Sequence, residues 1–381
     1  MLPGNKLLTG CLFAGVALLA LLLFLNRKPS VSLSRFPSAL QSFLSSKKQK
    51  LSKERHRFSK QRMLSFHRGI ALGLYSKNSH FDYGPLLKEI KEHQANRVSL
   101  FFSLYQESQS SVSINPNIAV RAQEAMLRRT IRQARRLGLQ VMLFPIVLLE
   151  KTKGKQWRGN IKPHNHLLWF QNYQRELSRL AALAQQEGVE SFCIGSEFSS
   201  MERYGEQWTS LIKRIRKIFS GLLVYSANWD HYRNISFWHK LDVIGISGYF
   251  KISSTPNPTL KVLLNQWHWI RNRLLIWKRK KHLSQPIMFT ELGYPNIQGA
   301  SMEPWNYTRI VQPSLYEQAL CYESFIRTWY STEGLGGVYF YNWFGYPFHS
   351  DTGYSPRGKP AALLIQAWYA HLRQQAVKYG E

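Results

Sequence analysis

From His67 onward the chain alternates short apolar runs with amphipathic helical stretches. This alternation constrains the fold more than any other feature of the sequence. A strand that is apolar on both faces must be covered on both, and a crossover helix leading to a parallel neighbour does this. Eight runs read as strands, at 69–74, 97–104, 139–146, 191–195, 222–226, 242–247, 286–290 and 337–341. Helical spacing lies between most of them. Leu127, Ile131, Ala134 and Leu137 share one face, as do Trp208, Leu211, Ile212, Ile215, Ile218 and Phe219. Asp82 or Ser76 is placed to cap a helix running from Gly84 to His93. Eight such units predict an α/β fold, a (β/α)8 TIM barrel over residues 67–381. The alternative is a doubly wound open sheet. No glycine-rich phosphate loop follows the first run, which counts against its dinucleotide-binding version.

In such a barrel, catalytic groups project from the C-terminal ends of strands. Glu197 follows the fourth run and Glu291 closes the seventh. A carboxylate is costly to place against a buried strand unless a site needs it. Two of them at two strand ends match the acid/base and nucleophile of a sugar-cleaving barrel.

Several motifs in order make the pattern more specific. They are Trp157-Arg158-Gly159, Ile194-Gly195-Ser196-Glu197 and Asp242-Val243-Ile244-Gly245-Ile246-Ser247-Gly248-Tyr249. Phe289-Thr290-Glu291-Leu292-Gly293-Tyr294, Gly336-Gly337-Val338-Tyr339-Phe340-Tyr341-Asn342-Trp343 and Tyr354-Ser355-Pro356-Arg357-Gly358-Lys359-Pro360-Ala361 follow. Over roughly residues 68 to 370 the chain resembles glycoside hydrolase family 113, of the clan of retaining barrel glycosidases, whose characterised activity is β-1,4-mannan hydrolysis.

The resemblance implies that Glu291 attacks the anomeric carbon and Glu197 protonates the leaving oxygen, then activates water. A retaining pair has carboxyl groups about 5–5.5 Å apart, and Glu197 needs a raised pKa that the charge of Glu291 would supply. Tyr249 matches the position that hydrogen-bonds the nucleophile. Trp343 matches the aromatic that stacks under the sugar at the cleaved bond. Asn228, Trp229 and Asp230 close the fifth run and would line the cleft, with Trp157, Arg158 and Trp169 near it from the third loop. Two positions depart from the pattern. Ser196 stands where many clan members carry Asn, and Phe144-Pro145-Ile146 is apolar where the family often ends with Lys-Pro-His. Both bear on sugar specificity more than on hydrolysis, because the carboxylates remain.

No cofactor is expected, since an acid–base pair suffices. No metal site is expected either: the 12 histidines lack ligand spacing, with only His164 and His166 close together. Three scattered cysteines make no disulfide framework. Cys193 falls in a core strand, where it reads as a small buried hydrophobe. Ser199 and Ser200 read as helix-start residues.

The N-terminal region is organised differently. Leu7 to Leu25 is 19 residues without a charge, close to the roughly 20 that span a bilayer. Residues 1–28 therefore read as a transmembrane signal anchor. Residues 29–66 read as a basic linker, disordered over most of its length, with a short amphipathic turn of Phe36, Leu40, Phe43 and Leu44 on lipid as the alternative. Only Lys6 precedes the span and many cations follow it, so the positive-inside tendency favours a cytoplasmic domain. Action on a polysaccharide favours the extracytoplasmic side, which is the localisation expected here.

The formal net charge of +29 favours contact with anionic surfaces. It comes with no zinc-finger or RNA-recognition signature, so no specific nucleic acid is expected as a partner. The expected partners are an oligosaccharide or polysaccharide and, through the N-terminal helix, a membrane. The competing reading is a barrel that binds a glycan or an anionic envelope polymer without turning it over.

Overall fold

The computed structural model describes residues 38–46, 66–114, 120–152, 156–306, 308–345 and 347–377. All eight expected strands form: β1 (His67–Gly73), β2 (Arg97–Gln106), β3 (Gln140–Leu149), β4 (Ser191–Ser196), β5 (Leu222–Asn228), β6 (Val243–Ser247), β7 (Ile287–Leu292) and β8 (Leu335–Phe340). They pair in parallel in sequence order, and β8 returns to β1, so the sheet closes. The open doubly wound alternative is thereby excluded.

Residue alternation along each strand explains the two cores. Inward positions such as Ala71, Phe101, Met142, Phe144, Cys193, Val224, Met288 and Tyr339 fill the barrel. Phe101 and Phe144 stack there with centroids 4.2 Å apart. Cys193 is a buried interior residue, as its strand position requires, and burial pushes its thiol up to about 12. Outward neighbours such as Ile70, Leu72, Leu100, Phe102, Ile194 and Phe289 join the larger core beneath the helices.

Those helices are α1 (38–46), α2 (Gly84–Glu92), α3 (Val120–Arg136), α4 (His166–Gln186), α5 (Gly205–Arg216), α6 (Leu260–Lys280), α7 (Leu315–Trp329) and α8 (Pro360–Val377). Asp82 accepts from the Gly84 amide at 2.9 Å, which is the expected start of α2. Asn165 and Ser314 cap α4 and α7 through their side chains. Between β5 and β6 the crossover is made by two short 3-10 turns, Tyr232–Asn234 and Trp238–Lys240. Trp208, Trp267 and Trp329 are fully buried in the strand–helix layer. Many of the aromatics therefore serve packing.

The expected membrane helix lies outside the described residues. Among the described residues no helix is long and apolar enough to cross a membrane. Within the segment read as a linker, α1 packs on the barrel instead of presenting its apolar side to lipid. Leu40 and Leu44 are buried. Phe43 meets Tyr330 edge-on, with the Arg327 guanidinium 5.0 Å from its ring centroid. Phe36 falls outside the described residues.

Candidate active site

Glu197 is the residue after β4, where the β4–β5 register shifts. Its amide still donates to the Ser226 carbonyl at 2.8 Å, but its φ is +54°, in the left-handed region. A non-glycine residue held there costs of order 1 kcal/mol or more and persists only where its surroundings enforce it. The result is a buried carboxylate held against Arg158 and Ser247. Glu291 lies in β7, level with Ser247 of β6, and is also buried. The β6 end approaches β7 closely because residue 248 is glycine. A Cβ there would sit 2.8 Å from the Phe289 ring and 2.9 Å from Leu292. The Gly248 amide donates to the Glu291 carbonyl at 2.6 Å.

The two carboxylates have different partners. Glu197 accepts from Arg158 Nη2 at Oε2 and from Ser247 Oγ at Oε1. Glu291 accepts from Tyr249 Oη at Oε2, 3.0 Å, while its buried Oε1 carries no well-formed hydrogen bond. Burial, and then the neighbouring charge of Glu197, raise the pKa of Glu291 far above the ordinary carboxylate range, to about 8. Arg158, Tyr249 and Ser196 act in the opposite direction. The elevated pKa of Glu291 follows from its burial with few donors.

Arg158 sits on a 3-10 turn (Arg158–Asn160) after β3. Burial opposes its charge, and Glu197 and Glu291 overcome that and raise its pKa. Trp157 lies at the half-exposed rim with its ring 5.4 Å from the guanidinium. Gly159 makes room for that ring: a Cβ there would lie 2.5 Å from it. Burial, and then the charge of Glu291, raise the Tyr249 phenol well above its usual range, so it is a hydrogen-bond donor at neutral pH. Ser196 is buried at the end of β4 beside Glu291.

Asn228 closes β5 and accepts from the Trp229 amide at 2.9 Å. Trp229 stacks on the exposed Trp305 with centroids 5.2 Å apart and planes 18° apart. The loop carrying Trp305 is fixed by Tyr354, whose hydroxyl donates to the Pro304 carbonyl at 2.6 Å. It is also fixed by the buried Glu317, which accepts from the Gly299 and Ser301 amides at 2.8 and 3.1 Å. Asp230 is exposed.

Two expected cleft residues lie elsewhere. Trp343 is buried between β8 and α2, donates Nε1 to Glu89 at 2.9 Å and packs on His93. The aromatic at the site is Tyr341, the residue after β8. It meets Tyr249 and Tyr354 edge-on and shares a 2.9 Å hydrogen bond with Tyr75. The Glu291 charge contributes to raising its pKa, after burial and Tyr75. Trp169 is likewise buried, with Nε1 donating to Gln106 at 2.8 Å. Ser247, Tyr75 and Tyr341 went unrecognised in the sequence. Ser247 and Tyr341 close strands inside motifs that were singled out, so their positions carried the signal. Among the described residues no cluster of His, Cys, Asp and Glu suits a metal ion.

A closed parallel barrel with two buried carboxylates at the ends of β4 and β7 is the architecture of a glycoside hydrolase, and this chain is one. The family model for Glycoside Hydrolase Family 113 matches residues 73–357, and the chain belongs to that family. Solved structures agree on the fold. A family 113 β-1,4-mannanase in complex form is 24% identical, with a TM-score of 0.72, covering 80% of this chain and 99% of the other. The family 113 β-mannanase AaManA from Alicyclobacillus acidocaldarius, in complex with ManMIm, is 24% identical with a TM-score of 0.71, covering 81% and 98%. A Faecalibacterium prausnitzii β-glucuronidase is 13% identical with a TM-score of 0.51, covering 80% of this chain and 49% of its own. No curated protein matches the sequence.

Proposed function

We propose that this glycoside hydrolase cleaves a β-linked hexose polysaccharide of the β-1,4-mannan type with retention of anomeric configuration. The observation that carries this reading is the asymmetric support of the two carboxylates. Glu291 is gripped at Oε2 by Tyr249 and leaves Oε1 without a well-formed hydrogen bond, as a nucleophile requires. Glu197 is oriented by Ser247 and Arg158 for proton transfer to the leaving oxygen. Attack by Glu291 forms a glycosyl-enzyme and discharges its carboxylate. Glu197 then takes a proton from the incoming water. Burial favours the protonated form of Glu291, and a sugar that donates hydroxyls to it stabilises the ionised form. Family membership and the mannanase fold neighbours support mannan as the polymer.

Ser196, Asn228, Tyr249, Tyr341, Arg158 and the Trp157 and Trp229 rims would contact the sugar. The apolar run from Leu7 to Leu25 supports tethering of the barrel to a membrane, and action on a polysaccharide favours the outer side. A topology reporter fused to the C-terminus tests that location, and a cytoplasmic signal would refute it. For the activity, the test is reducing-end release from β-1,4-mannan, β-1,4-glucan and β-1,4-xylan, with Glu291→Ala as control. Product from mannan that disappears in the variant is expected. Equal product from the variant, or none from any polymer, would remove the proposal.

A further inference from the structure

Near Glu197 lies another buried carboxyl that the double-displacement reaction does not use. Glu202 sits on the loop after β4 and is 2% exposed. Its Oε1 accepts from Tyr225 Oη at 2.9 Å. The same Tyr225 hydroxyl accepts from the backbone amide of Phe198 at 3.1 Å. Phe198 is the residue next to Glu197, whose φ of +54° needs an external hold. Tyr225 itself cannot drift. It is packed between Trp208, Phe237 and Trp238, and a Cβ on Gly195 would lie 2.9 Å from its ring. The Glu202 main chain closes the arrangement, because its amide donates to the Phe198 carbonyl at 3.0 Å.

We propose that Glu202 is a positioning residue for Glu197, acting through Tyr225 and the Phe198 amide, and that its charge extends activity toward alkaline pH. This rests on Glu197 being the acid/base. The phenol can donate to only one acceptor. With Glu202 as that acceptor, the Tyr225 oxygen lone pairs are turned to the Phe198 amide, and the turn carrying Glu197 is fixed. The groups facing Glu202 are Tyr225 from β5, His231 at 3.5 Å and Asp230 from the loop after β5, and Glu197 from the end of β4. Burial first, with Glu197 and Asp230 adding, pushes Glu202 up to about 7. Its negative charge therefore develops around neutral pH, and a nearby negative charge favours retention of a proton in the site.

The test pairs kinetics with an activity-independent probe. Glu202→Gln keeps an acceptor for Tyr225 and removes the charge, Glu202→Asp keeps the charge, and Tyr225→Phe removes both hydrogen bonds. For Glu202→Gln the alkaline limb of kcat/KM on an aryl β-mannoside is expected to move about half a unit to one unit lower, with kcat at pH 6 within about twofold. Glu202→Asp should retain the wild-type limb. Tyr225→Phe should lower kcat about tenfold with KM nearly unchanged. The selectively 15N-labelled Phe198 amide should titrate near pH 7 in the full chain and stay flat in Glu202→Gln. An unmoved limb together with an unchanged Phe198 titration would overturn the proposal. If the wild-type protein turned over no β-mannoside, the functional reading would fail separately, and the Phe198 titration alone would still decide whether the relay exists.

Discussion

Arg158 pairs with Glu197 and leaves Glu291 to Tyr249. This guanidinium therefore orients the group proposed for proton transfer, while its charge also acts on the proposed nucleophile at longer range. Removing it leaves two facing carboxyls without a cation. Arg158→Met should lower kcat/KM about a hundredfold, of the order seen when a preorganised charge is deleted. Arg158 lowers the pKa of Glu291, so its loss raises that pKa, and the nucleophile ionises only at higher pH. The acidic limb of the kcat/KM profile should shift to higher pH, which initial rates between pH 4 and 9 would show.

Tyr249→Phe deletes the hydrogen bond to Glu291 Oε2. The carboxylate loses orientation and a group that favours its charged form. We expect kcat to fall about tenfold to a hundredfold with a smaller change in KM, and the acidic limb to move the same way as in Arg158→Met. Steady-state kinetics on an aryl β-mannoside provides the measurement.

Glu291 also makes a thermodynamic prediction. Its folded-state pKa of about 8 lies above the ordinary value of 4.5. A raised carboxyl pKa means that the folded state binds more protons than the unfolded state between these values. Its contribution to stability is fully present below about pH 4.5 and is lost as pH rises toward 8. Glu291→Gln removes that dependence. Calorimetry should find the variant several degrees more stable than the wild type at pH 8 and nearly equal to it at pH 4.5.

Trp343 and Tyr341 separate packing from binding. Trp343→Phe loses a part-buried hydrogen bond to Glu89, which also holds Arg357 at 2.5 Å. It should lower Tm by a few degrees with little change in KM. Tyr341→Ala removes a half-buried phenol at the mouth and should raise KM for mannooligosaccharides about tenfold while Tm moves less. Thermal melts alongside KM determinations distinguish the two.

The barrel was legible because its evidence is periodic. Eight apolar runs bounded by helical spacing leave few alternatives, and Glu197 and Glu291 stood out as costly exceptions within them. Side-chain direction was less legible. Trp343 and Tyr341 are two residues apart near the end of β8, and sequence alone does not say which one the strand end turns toward the cleft. The structure buries the indole against Glu89 and His93 and gives the site the phenol. Ser247 was hidden for a related reason: a small residue at a strand end looks like packing until a carboxylate is found against it. The helix at 38–46 had too few apolar residues in a basic stretch to signal that its partner was the barrel.

Trapping the covalent intermediate tests the account most directly. The enzyme would be incubated with a 2-deoxy-2-fluoro-β-mannosyl fluoride, digested, and its peptides mapped by mass spectrometry. A single sugar adduct on the Glu291 side chain, absent from Glu291→Gln, is the predicted result. An adduct on Glu197, or turnover of mannan that releases the inverted anomer and leaves no adduct, would contradict it.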